Sequence, residues 1–157
     1  MPPKVDKSQI WKEALRRLSR LYGRPARKRY GAAVDMLVET ILSQNTNAAN
    51  STAGFRKLKE TFPDWDAAAD APVGRIERCI RVSGLSRTKA PRIQRILRQI
   101  RQEHGSIDLQ FLARREPQEA YDYLLQFDGV GPKTALCTLM FAFAMPVFPV
   151  DTHIQRI

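Results

Sequence analysis

The amino-acid sequence predicts an all-α fold, because apolar residues recur at helical spacing in every periodic segment. No β-branched run of alternating polarity reaches the length of a strand, and the chain contains no internal repeat. With 157 residues, 43% of them hydrophobic, the chain is long enough to bury one core. We therefore expect a single multi-helix domain over residues 8–157, preceded by a flexible tail at residues 1–7.

The predicted helices are separated by glycine and proline breaks. The segment 32–43 is almost continuously apolar, as expected for a buried helix, whereas the others have one apolar and one basic face. Trp65 and the isolated cysteines Cys79 and Cys137 are expected in the core. The predicted helices cover 9–22, 32–43, 48–61, 65–69, a segment opening at Pro72, 86–104, a short turn from Asp108 to Leu112, 118–126, and a last one opening at Pro132.

The charge balance favours a polyanionic partner. Twenty-six Lys and Arg against sixteen Asp and Glu give a net charge of +10, which suits nucleic acid, with an anionic membrane surface as the alternative. No run has the length of a membrane-spanning helix and no apolar signal segment opens the chain. We expect an intracellular protein, cytoplasmic and nucleoid-associated, with no membrane partner.

The most informative stretch contains Gly129-Val130-Gly131, which lies between two apolar runs of helical spacing. Such glycines allow a tight turn, so the pattern predicts a helix-hairpin-helix. Pro132 suits the first position of the second helix, which leaves the amides of Gly129, Gly131 and Lys133 free at a positive helix end. A pocket of this kind suits phosphate.

Lys133 and Asp151 are the residues with catalytic potential. The field of the helix N-terminus and partial burial would lower the pKa of Lys133 toward ~7–8, where a lysine can act as an amine nucleophile. Asp151 follows an apolar segment and could act as a base. The alternatives are a solvated or phosphate-contacting lysine after a tight turn, and an aspartate that only caps a helix.

Together these residues resemble a known family. LLQFDGVGPKTA followed by FPVDTH is similar to the L-P-G-V-G-x-K-T-A and V-D-T-H segments of helix-hairpin-helix (HhH-GPD) DNA glycosylases, in particular the endonuclease III branch. The resemblance implies that Lys133 forms an imine with deoxyribose, that Asp151 assists, and that the hairpin residues bind DNA. Those hairpin residues are Gly129, Val130, Gly131 and Thr134. Asp128 replaces the family's usual proline, and an acid there should weaken a phosphate pocket.

Two further segments match in the same order, so the resemblance spans roughly residues 30–157. In I-L-S-Q-N-T-N it implies that Gln44 and Asn45 supply a polar plug into the duplex and part of a base pocket; a helix cap is the alternative. In G-L-x-x-x-K-A it implies that Gly84, Leu85 and Lys89 contact DNA, with Leu85 as a wedge. A leucine on such a loop is otherwise commonly part of the core.

The function implied by the resemblance is base-excision repair. We expect a DNA N-glycosylase with β-elimination (AP) lyase activity on oxidised pyrimidines, acting as a monomer on double-stranded DNA that contains a damaged base or an abasic site. Two alternatives stay open: a monofunctional glycosylase in which Lys133 only binds phosphate, and a non-catalytic helix-hairpin-helix module.

The resemblance also has implications for cofactors and for the C-terminal end of the domain. The cysteines and histidines of this chain have no metal-site spacing, so we expect no metal or cofactor within it. Many endonuclease III relatives carry a 4Fe-4S cluster after the V-D-T-H aspartate; here such a cluster would require the protein to continue beyond Ile157. We expect a domain truncated at its C-terminal end, with the apolar side of residues 9–22 exposed and marginal stability.

Overall fold

The computed structural model describes residues 7–24, 31–151, 154 and 156. Every regular element within them is a helix, which confirms the predicted all-α fold. The α-helices are α1 (Lys7–Tyr22), α2 (Ala33–Ser43), α3 (Ala48–Thr61), α4 (Trp65–Asp70), α5 (Val73–Ile80), α6 (Ser86–His104), α7 (Pro117–Leu125) and α8 (Pro132–Phe143). Two 3-10 helices, Arg81–Ser83 and Gln110–Arg114, complete the set.

Helix α2 lies at the centre of the domain and contacts α3, α6 and α8. Its apolar side chains cover most of its circumference, as the sequence predicted for a buried helix, and Leu37, Ile41 and Leu42 are fully buried. Because α2 is held on several sides, its C-terminal end is a fixed point from which the segment beginning at Gln44 projects.

Helices α4, α5 and α6 form the other half of the core. Ile76 and Ile80 of α5 and Leu97 of α6 are fully buried where these helices meet. Gln94 of α6 is also buried, and its Nε2 donates hydrogen bonds to two backbone carbonyls at the end of α4. The 3-10 helix Arg81–Ser83 follows α5 directly, so the loop before α6 leaves the core at a defined place.

Helix boundaries follow side-chain caps that the sequence contains. Asn47 and Asp64 accept hydrogen bonds from backbone amides at the N-terminal ends of α3 and α4. Asp108 accepts one from the amide of Gln110, although the short helix predicted there is a 3-10 helix. Trp65 is buried, as predicted, and its indole donates to Asp35.

Helix α1 leaves its apolar side uncovered. Leu15, Leu18 and Leu21 are 60%, 52% and 74% exposed, which confirms the expectation for this helix. Lys7, assigned to the tail by the sequence prediction, is the first residue of α1, and the rest of that tail lies outside the described residues. Among the described helices, none combines the length and apolarity needed to cross a bilayer.

Candidate DNA-processing site

The predicted hairpin joins α7 to α8. Gly129 has φ +76°, a conformation that other residues rarely adopt, so this position favours glycine; a Cβ there would also displace the end of the Arg92 side chain of α6. Val130 is 5% exposed and its amide donates to the carbonyl of Phe127. Gly131 differs, because its φ of −91° suits any residue and a Cβ would meet no atom within 4 Å. The space in front of Gly131 is therefore open to a ligand.

Pro132 is the first residue of α8, as predicted. In the described part of the chain, the amides of Gly129, Gly131 and Lys133 have no hydrogen-bond acceptor. Unpaired amides at the positive end of a twelve-residue helix form a favourable environment for an anion. The hairpin thus has the donor arrangement expected of a phosphate site.

Lys133 lies in the first turn of α8, and its ammonium group forms a salt bridge with the carboxylate of Asp151. The Lys133 side chain is 56% exposed, so the partial burial expected from the sequence is wrong. Asp151 is more enclosed, with 31% of its side chain exposed. Its backbone carbonyl accepts the amide of Ile154, whereas its carboxylate turns toward α8. Capping alone therefore does not account for the salt bridge between Asp151 and Lys133.

Cys137 lies one helical turn after Lys133. Burial raises the pKa of the Cys137 thiol, and the carboxylate of Asp151 acts in the same direction, whereas Lys133 opposes it. The thiol is therefore predominantly neutral near neutral pH. A neutral, partly buried thiol is a poor nucleophile, which leaves Lys133 as the strongest candidate nucleophile in this region.

Gln44 faces the hairpin instead of standing free. Its Nε2 donates to the carbonyl of Gly129 and to Oγ1 of Thr134, both at 3.1 Å. Thr134 is itself buried, so its side chain supports the hairpin from within. Asn45, by contrast, is exposed and has φ +53°. Of the two amides predicted to enter the duplex, Asn45 is the one that the described chain leaves facing solvent.

Leu85 is 56% exposed, so the alternative that it belongs to the core does not hold. It has φ +50° and follows Gly84, whose φ is +68°. A left-handed conformation is unfavourable for leucine and rare outside functional turns. The loop thus presents an apolar side chain to solvent directly before the N-terminal end of α6.

Lys89 requires a correction, because the sequence predicted that it contacts DNA. It is 1% exposed, and its Nζ donates to the carbonyls of Leu42 and Ser83, each at 2.8 Å. An aliphatic stem long enough to span the α2–α6 interface carries the amine inward to two carbonyls for which the described residues provide no other donor. The spacing of Lys89 from Leu85 correctly placed the lysine on α6, but this spacing does not show which face of the helix the lysine occupies.

Asp128, the residue that departs from the family pattern, is paired with two arginines that the sequence analysis did not assign to the site. Its carboxylate accepts from Arg95 at 2.6 Å and lies 3.7 Å from Nε of Arg92. The hydrogen bond from Arg95, together with a contribution from the nearby charge of Arg92, holds the pKa of the Asp128 carboxyl below its usual range. Helical spacing placed both arginines on the outer face of α6, but only the tertiary contact brings them to the hairpin.

A metal or iron–sulfur site does not fit the cysteines of this part of the chain. Cys79 is buried in α5 and its thiol lies 3.3 Å from Oγ1 of Thr61, whereas Cys137 lies in α8. Among the described residues, no group of three or more His, Cys, Asp or Glu side chains could hold a metal ion.

The amino-acid sequence is similar to named DNA-repair proteins. It is 43% identical over 126 residues to a putative DNA glycosylase of Arabidopsis thaliana, covering 80% of this chain and 43% of that protein. It is 34% identical over 123 residues to endonuclease III of Sulfolobus acidocaldarius, covering 77% of this chain and 52% of the relative. The chain thus spans about half the length of these relatives.

The fold is similar to that of a solved endonuclease III–DNA complex, with a TM-score of 0.75 over 96% of this chain and 66% of the other, at 24% sequence identity. The family of HhH-GPD superfamily base excision DNA repair proteins matches residues 38–157, which include all three loops described above and the Lys133–Asp151 pair. This chain belongs to the HhH-GPD superfamily of base excision DNA repair proteins.

Proposed function

We propose that this chain excises damaged bases from DNA and then cleaves the abasic strand by β-elimination. The observation that carries the proposal is the salt bridge between Lys133 and Asp151 at the solvent-facing N-terminal end of α8. The pair combines an exposed amine with a carboxylate able to accept its proton, next to amides suited to a DNA phosphate. A hairpin that only clamps phosphate requires no such carboxylate.

The proposed chemistry begins when Asp151 accepts a proton from Lys133. The free amine then attacks C1′ of the deoxyribose, a carbon–nitrogen bond forms, and the glycosidic bond breaks with its electron pair leaving on the base, which takes up a proton. Opening of the sugar ring gives an imine between Lys133 and C1′. The imine acidifies the C2′ hydrogen, and loss of that proton expels the 3′ phosphate, which cuts the strand.

The proposed substrate is double-stranded DNA that contains an oxidised pyrimidine or an abasic site, and the chain acts on it as a monomer. Support for DNA comes from the net charge of +10 and from the family. Support for strand cleavage comes from the lysine at position 133 and from the relative named endonuclease III. The pyrimidine preference rests on the endonuclease III-like motifs.

Borohydride reduction of the protein mixed with abasic-site duplex tests the proposal, because it converts an imine into a stable covalent bond. We expect a protein–DNA adduct that is lost when Lys133 is replaced. Base release from a lesion-containing duplex without an adduct would assign the monofunctional alternative. Binding with neither base release nor adduct would reduce the chain to a DNA-binding module.

A further inference from the structure

The buried lysine of α6 connects two loops that the proposed function places against DNA. Lys89 donates from one nitrogen to the carbonyl of Leu42, in the last turn of α2, and to that of Ser83, the last residue of the 3-10 helix. Leu42 lies two residues before Gln44, and Ser83 two residues before Leu85. The two carbonyls belong to segments far apart in the sequence.

Both carbonyls need a donor. Carbonyls in the last turn of a helix have no partner within it, and a buried carbonyl without a hydrogen bond destabilises the fold. Leu42 and Ser83 are both fully buried, so water does not provide the missing donors. A lysine is suited to this place because its amine carries several donors at the end of a long stem.

The backbone of Leu85 is held on its C-terminal side by α6, because its carbonyl accepts the amides of Thr88 and Lys89. Its side chain is exposed, so packing contributes little to its position, and its left-handed backbone is unfavourable. On its N-terminal side the loop is held by Ser83, the residue that precedes Gly84. Ser83 is fixed by its buried hydroxyl, which donates to Ile80, and by the hydrogen bond from Lys89.

The hydrogen bonds that begin at Lys89 extend to the hairpin through Gln44. Gln44, two residues beyond the first carbonyl, donates to the carbonyl of Gly129 and to Thr134. Lys89 and Gln44 thus join the loops at 44–45, 84–85 and 129–131 through four hydrogen bonds of 2.8–3.1 Å. We infer that Lys89 is a positioning residue that fixes the exposed Leu85 relative to Gln44 and Asn45, so that both segments enter the duplex together.

This inference rests on the proposed function, since positioning matters only if a nucleotide leaves the stack. An apolar side chain offsets the cost of extrusion only when it fits the gap, so a small displacement of its loop should weaken binding to the distorted duplex. Binding to intact duplex depends chiefly on phosphate contacts and should change little. Lys89 itself touches no DNA in this arrangement.

The test compares Lys89→Met with Gln94→Met. Gln94 lies on the same helix, is also buried, and also donates to two backbone carbonyls, those of Ala68 and Ala71, on the side facing α4. Both variants lose two buried hydrogen bonds, so a purely structural effect should be common to them. Dissociation constants for abasic-site and intact duplex are measured at a temperature where circular dichroism shows each variant folded, together with the fluorescence of 2-aminopurine opposite the abasic site.

We expect Lys89→Met to reduce the preference for abasic over intact duplex about tenfold and to diminish the 2-aminopurine signal, whereas Gln94→Met keeps both. If Lys89→Met does not fold, Lys89→Gln, whose shorter and uncharged side chain weakens the hydrogen bonds to the two carbonyls, is expected to show a smaller loss. Wild-type preference in either folded Lys89 variant, or an equal loss in Gln94→Met, would overturn the inference. A wild-type chain that shows no preference would overturn the proposed function and the inference with it.

Discussion

The ammonium group of Lys133 and the carboxylate of Asp151 form a salt bridge although they are eighteen residues apart in the chain. The intervening residues form α8 and the segment that returns along it, so the fold brings the carboxylate to the first turn of the helix. The proposed nucleophile and its proposed proton acceptor are therefore in contact before any substrate binds, and such an arrangement would reduce the reorganisation needed for attack on the sugar.

We expect Lys133→Gln to abolish both strand nicking at abasic sites and borohydride-dependent adduct formation, because glutamine has no nucleophilic amine. DNA binding should be largely retained, since Lys133 is one of 26 basic side chains. Gel assays of nicking and adduct formation check this, with the exposed lysine variant Lys57→Gln as the matched control. A Lys133→Gln variant that still forms the adduct would place the nucleophile elsewhere.

Asp151→Asn should keep the fold and lose most of the turnover. The backbone carbonyl of Asp151 still accepts from Ile154 in this variant, whereas an amide cannot take a proton from Lys133. We expect a decrease in kcat of about 10²- to 10⁴-fold, the usual contribution of a positioned acid–base group. Single-turnover kinetics with equal far-ultraviolet circular dichroism for both proteins measure it. Unchanged turnover would limit Asp151 to a structural role.

Leu85→Ala should weaken binding to abasic-site duplex selectively, by about tenfold or roughly 1.4 kcal/mol. The reason is that an exposed leucine contributes little to the fold but can fill the gap left by an extruded base. Paired titrations on abasic and intact duplex at matched salt check this. Arg87→Gln is the contrasting variant and should weaken both complexes and flatten the salt dependence. An equal loss on both duplexes for Leu85→Ala would contradict the wedge assignment.

Asp128→Asn should release Arg92 and Arg95 for phosphate contacts. We expect tighter binding to duplex and a salt dependence steeper by about one unit for each phosphate gained. Asp70→Asn is the control, because it also removes one carboxylate, in this case from Arg101 on another part of the surface. The salt slope of the dissociation constant is the measurement, and equal slopes for both variants would show that net charge alone is responsible.

The carboxylate of Asp128 should also make the free energy of unfolding depend on pH. Because the folded-state pKa of Asp128 is lowered, chiefly by Arg95, its contribution to stability is present above the unfolded-state pKa of about 4 and is lost as the pH falls through the lower folded-state value. Denaturant unfolding of the wild type and Asp128→Asn at several pH values should therefore show a difference near neutral pH that disappears in acid. A difference that persists in strong acid would contradict the ion pair.

Truncating a buried side chain of α6 should lower the free energy of unfolding, whereas truncating one on the exposed side of α1 should leave it nearly unchanged. Leu97→Ala removes a fully buried side chain and should lower the free energy of unfolding by about 2–5 kcal/mol. Leu15→Ala, at a position that is 60% exposed, should change it by less than about 0.5 kcal/mol. Urea titrations compare the two. A large loss for Leu15→Ala would mean that the apolar side of α1 is covered in solution.

The sequence by itself determined the helices and indicated the candidate chemistry-bearing residues. Helical spacing and caps such as Asn47 and Asp64 are local properties, so the predicted boundaries differ from the observed ones by only a few residues. The hairpin at Gly129 also follows from local geometry, because a positive φ selects glycine. Lys133 was found as a candidate from its place at a helix start.

Only the tertiary structure decided which side chains reach the surface and which face one another. The spacing of Lys89 from Leu85 is the same whether the lysine points outward or into the α2 interface, and the fold turned it inward while leaving Leu85 exposed. The pairing of Asp128 with Arg92 and Arg95 was also decided by the tertiary structure, because contacts between segments distant in the sequence depend on how the helices pack. Periodicity assigns a face to each residue, but the partner of that face is set by the three-dimensional arrangement of the helices.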